Sequence, residues 1–80
     1  MIEVSKVGSK YVSALRKKYE AEMEEAMANL ELYTTQLVGI GEHSDLMEEQ
    51  DKWIEKYTNS KDKLASLNEL FGEQNSLIKA

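Results

Sequence analysis

Residues 30–53 read LELYTTQLVGIGEHSDLMEEQDKW, and this stretch decides the fold. On its left, Leu30, Tyr33 and Leu37 recur at helical spacing. On its right, Leu46, Gln50 and Trp53 do the same. Between them Gly39 and Gly41 interrupt the pattern and offer the positive φ that a helix end needs. Asp45 followed by Glu48 has the spacing of a capping box, and Ser44 is an equally good cap for the next helix. A connector of about five residues between two long helices makes them antiparallel neighbours.

Working outward, the left-hand pattern extends back through Ala26, Met23, Tyr19 and Leu15 to Val12, at spacings of three and four. Those spacings average the ~3.5-residue repeat of a coiled-coil seam. The right-hand pattern extends through Tyr57, Ser60, Leu64, Leu67 and Phe71 to Gln74 and Ile78. Ser9, just after Gly8, is the expected cap of the first helix. The expected organisation is therefore a flexible or helix-extending arm over 1–8, helix one over about 9–38, a turn over 39–44 and helix two over about 45–71. A frayed tail or weak helix follows over 72–80, with a break expected at Gly72. The fold class is all-α: an antiparallel two-helix hairpin, coiled-coil-like, expected to dimerise into a four-helix bundle.

A turn centred near Gly41 makes facing residues total about 83. Under that rule Leu30 faces Trp53, Ala26 faces Tyr57, Tyr19 faces Leu64 and Gln50 faces Tyr33. Opposite charges also meet: Glu31 with Lys52, Glu22 with Lys61, Glu20 with Lys63 and Lys10 with Glu73.

Eighty residues with no cysteine and no proline allow one domain without disulfides or thiolate metal sites. Chains of this length commonly need oligomerisation or very regular packing for stability. The apolar stripe supports the first of these. Met27, Leu32, Met47, Ile54, Leu70 and Leu77 lie beside the seam and exceed what a two-helix pair can cover. A second copy of the chain is the simplest cover, and a different protein is the other.

The net charge of −5 argues against nucleic-acid or anionic-lipid binding. It is also unevenly placed. Residues 20–51 hold ten acids and no Lys or Arg, whereas residues 1–18 hold five Lys/Arg against one acid. The hairpin is thus a rod with an acidic tip (Glu20, Glu24, Glu25, Glu42, Asp45, Glu48, Glu49) and a more basic base. No apolar run is long enough for a membrane span, no signal peptide is evident, and a cytoplasmic location is expected.

No constellation carries chemistry. The single histidine, His43, reads as a solvated turn residue beside capping acids. Glu20 and Glu24 sit one turn apart but lack the Glu-x-x-His partner of a di-metal bundle. Trp53 and the tyrosines at 19, 33 and 57 occupy seam positions and read as core. No cofactor and no metal are expected. In length and shape the hairpin resembles secretion-system chaperones and WxG-type secreted proteins, but its turn carries Gly39-Ile40-Gly41 in place of Trp-x-Gly, and no family is assigned.

The expected function is non-enzymatic: a protein–protein interaction or assembly protein, adaptor or small chaperone, acting through a helical-bundle surface. The alternative is an acidic regulatory binder that mimics nucleic acid and docks a basic partner. A compact chain of this composition suits a phage or bacterial protein.

Overall fold

The computed structural model describes residues 2–35 and 43–72, and the side chains of His43 and Ser44 are outside that description. Two helices, α1 (Lys6–Thr35) and α2 (His43–Phe71), pack along their length. They form a rod of 53 × 18 × 16 Å, one helix pair thick. The 30 residues of α1 account for about 45 Å of that length at ~1.5 Å each. Among the described residues there is no strand, and no helix is long and apolar enough to cross a membrane.

The pairing is antiparallel. Four cross-helix contacts define it: Arg16 to Asn68, Glu22 to Ser60, Glu25 to Lys56 and Tyr33 to Glu49. Their positions total 84, 82, 81 and 82, within two of the expected 83. Along this seam Val12, Ala26, Leu46 and Leu67 are buried. Ala26 is fully enclosed and Ser60 is 2% exposed, so the two most buried of the described seam positions carry small side chains. The seam is otherwise half-buried: Tyr19, Met23, Leu30, Trp53, Tyr57 and Leu64 all keep an open edge.

Both helix starts differ from the sequence expectation. α1 begins at Lys6, three residues before the expected start, and its cap is Ser5 rather than Ser9. The Ser5 hydroxyl accepts the Gly8 N–H at 3.1 Å, the N-cap to N3 bond that satisfies one of the free amides of a first turn. Residues 6–8 therefore belong to the helix, as the helix-extending alternative has it. The remaining arm is tied down, since the Ile2 N–H donates to the Leu70 carbonyl at 2.6 Å. α2 begins at His43, so His43 and Ser44 are helical rather than part of the turn, and Asp45 lies in the first turn. The expected end of helix one (36–38) and the turn at 39–42 lie outside the described residues.

α2 ends at Phe71. Gly72 has φ 77°, and its N–H donates to the Asn68 carbonyl at 2.7 Å. That is the single i to i−4 bond of a left-handed C-cap. A side chain at this φ is strained. Gly72→Ala is expected to cost about 1–2 kcal/mol, read as a fall in melting temperature of several degrees by circular dichroism, at ~4–8 °C per kcal/mol for a domain of this size. The tail after Gly72, with Glu73, Gln74, Leu77 and Ile78, lies outside the described residues.

Candidate functional site: the two flanks of the hairpin

Heptad spacing lets each helix be read as stripes of residues seven apart. Arg16, Met23 and Leu30 share one stripe of α1, and Met47, Ile54, Lys61 and Asn68 share one stripe of α2. The Arg16–Asn68 bond puts these two stripes on the same side of the rod. Glu25 and Lys56 meet at 3.4 Å across the opposite side. The hairpin thus has two flanks of different chemistry.

One flank is polar and latched. There the Ser60 hydroxyl donates to Glu22 at 3.0 Å, Lys52 pairs with Glu49 at 3.1 Å, and Lys63 lies over the Tyr19 ring at 5.9 Å. Lys56 serves twice, as the partner of Glu25 and as a cation 5.7 Å from the Trp53 ring centre. Toward the base this flank opens into a groove lined by Leu15, Tyr19, Lys63, Leu67, Leu70 and Phe71.

The other flank is apolar over its tip half. Met27 is 48% exposed, Ile54 51% and Met47 75%. Met23, Leu30 and Tyr57 lie half-buried beneath them. At its base end the flank closes with Arg16, whose guanidinium donates to the Asn68 side-chain oxygen and, at 3.2 Å, to the Gly72 carbonyl.

The six apolar residues singled out in the sequence therefore do not share one face. Met27, Met47 and Ile54 come together on the apolar flank. Leu70, 46% exposed, sits in the groove of the polar flank, and Leu32, 48% exposed, looks outward from α1. Leu77 is outside the described residues. Of the acidic tip, Glu20, Glu24, Glu25, Asp45 and Glu48 are exposed. Glu49 is half-buried, holding Lys52 and accepting the Tyr33 hydroxyl at a long 3.4 Å, and Glu42 lies outside the described residues. Two of the tip carboxylates, Glu25 and Glu49, are thus partly neutralised by lysines of the same chain.

Several pairs differ from the sequence expectation. Tyr33 finds Glu49 instead of Gln50. Lys52 finds Glu49 instead of Glu31, Glu22 finds Ser60 instead of Lys61, and Lys63 finds the Tyr19 ring instead of Glu20. The Lys10–Glu73 pair lies outside the described residues. Nothing in the sequence distinguishes Arg16 from the other cations of the base, because its partners belong to the end of the other helix. Among the described residues, Arg16 Nε and Trp53 Nε1 are enclosed donors without a hydrogen-bond acceptor. Among the described residues no group of three His, Cys, Asp or Glu is placed to hold a metal ion. Compared with protein-family models, curated proteins and solved structures, the chain matches none.

Proposed function

We propose that this chain is a non-enzymatic interaction protein, an adaptor, small chaperone or assembly component that binds other helices along the rod. The apolar flank carries this reading. Three large side chains, Met27, Met47 and Ile54, are about half exposed or more on one side of a rod that has no second layer. An amphipathic helix lying along that flank is the matching occupant. Methionine suits such a surface because its unbranched, polarisable side chain repacks against different partners. Self-association is a separate part of the proposal: two hairpins give a four-helix assembly. The partner is thus a second copy or a different protein, and neither needs a cofactor.

The competing reading, an acidic tip that mimics nucleic-acid phosphate, is weakened because Glu25 and Glu49 already hold Lys56 and Lys52. Capture from cells of the source organism separates the two. The wild-type chain is expected to retain a defined partner even at about 1 M salt, where the screening length is only ~3 Å. The Met27→Lys/Ile54→Lys chain is expected to lose it while keeping its helical circular dichroism. Retention that vanishes with modest salt, survives Met27→Lys/Ile54→Lys and is abolished by Asp45→Lys/Glu48→Lys would establish the acidic reading instead.

A further inference from the structure

The side of α1 turned away from α2 carries a pattern that the hairpin does not use. Val7, Ala14, Ala21, Ala28 and Thr35 recur every seven residues, none of them a seam residue, and all are exposed. One flanking stripe reads Lys10, Lys17, Glu24, Glu31, and the other reads Tyr11, Lys18, Glu25, Leu32. These eight are exposed as well. Both stripes change sign from basic to acidic across the same point, Ala21.

Antiparallel helices that pack through one such face bring each flanking stripe against its own copy, whereas parallel helices bring it against the other stripe. A two-fold axis at Ala21 therefore sets Lys10 against Glu31, Lys17 against Glu24 and Lys18 against Glu25, each pair formed twice. It also sets Tyr11 against Leu32 and Ala14 against Ala28. Parallel packing instead sets Lys17 beside Lys18 and Glu24 beside Glu25. We propose that two copies of this chain pair antiparallel through the outward face of α1, centred on Ala21. This goes beyond the partner-docking reading and uses a different surface, so Met27, Met47 and Ile54 stay open in the pair.

Three further observations fit a second copy as the occupant. Small residues along the centre allow close approach of the two helices. Val7 and Tyr11, 63% and 70% exposed, and Leu32 would be covered at the two ends of the contact. Glu25 already touches Lys56 at 3.4 Å, yet its side chain is 52% exposed and can take Lys18 of a second copy too. Exposed ion pairs contribute little energy each, so here they set direction while the apolar centre supplies affinity.

The absence of cysteine makes the test clean. Ala14→Cys and Ala28→Cys chains, each alone, are expected to give few disulfide-linked dimers, and their equimolar mixture many, all of mixed composition. Lys17→Glu and Glu24→Lys should each weaken self-association by about tenfold or more in sedimentation, because like charges then meet twice. Mixing those two chains, or joining both changes in one chain, should restore it. Efficient self-linking of Ala14→Cys, no preference for the mixed disulfide, or a wild-type chain that stays monomeric from roughly one to one hundred micromolar would overturn the proposal. Unchanged capture of a partner by these chains would leave the Met27–Ile54 flank reading standing on its own.

Discussion

Leu67→Ala is expected to remove about 2–5 kcal/mol of stability, a large part of what a chain of this length has. Leu67 is 5% exposed, in the seam near the base, and shares its surroundings with Leu15 and Phe71. The rod is only one helix pair thick, so little neighbouring structure can collapse into the space a truncated side chain leaves. Leu70, three residues on, is the internal control. At 46% exposure it has little burial to lose, and Leu70→Ala should cost no more than about 1 kcal/mol. Urea unfolding at one fixed protein concentration measures both, the concentration being held because any pairing of copies adds to apparent stability. The midpoint should fall steeply for Leu67→Ala with an unchanged slope. Equal shifts for the two variants would mean that the seam is rotated from the one described.

The seam and its register were legible in the sequence because both follow from period and turn length. Val12, Ala26, Leu46 and Leu67 all stand on the three-and-four spacing, and the observed facing pairs total 81 to 84 against an expected 83. The expected charge pairs were not legible. An exposed ion pair is worth under ~1 kcal/mol, so Lys52 settles on Glu49 in its own helix and Lys63 on a tyrosine ring with almost no energetic preference to read in advance. The start of α1 turned on two serines. Gly8, a poor helix former, suggested a boundary after it, yet Ser5 reaches the Gly8 amide and the helix begins earlier. The surplus of apolar side chains was visible, but their division between flanks was not. That division depends on how α2 is rotated about its own axis, which small side chains such as Ala26 and Ser60 permit and composition does not specify.

Arg16→Ala is expected to cost about 1.5–3 kcal/mol, the range for hydrogen bonds made by a charged group. Its guanidinium reaches from α1 to the far end of α2, where it meets the Asn68 side-chain oxygen and the Gly72 carbonyl. The end of a helix leaves carbonyls without intrahelical donors and carries the negative end of its dipole. Here three donors answer that need from three parts of the chain: Gly72 N–H to the Asn68 carbonyl, Ile2 N–H to the Leu70 carbonyl, and Arg16 to Gly72. Arg16→Lys keeps the charge but not the planar fork, so it should recover only part of the loss. Coupling to Asn68 can be isolated by a double-mutant cycle with Asn68→Ala, expected to show an interaction of about 0.5–3 kcal/mol. Because the bonds close the base of the rod, the loss should also be local. In Arg16→Ala the amides of Ile2 and Gly72 should exchange hydrogen much faster than in the wild type, while amides near Ala26 follow only the global change. A stability change below ~0.5 kcal/mol, in the range of ordinary surface substitutions, with unaltered exchange at Ile2 and Gly72, would show that the ends of the two helices hold together without this residue.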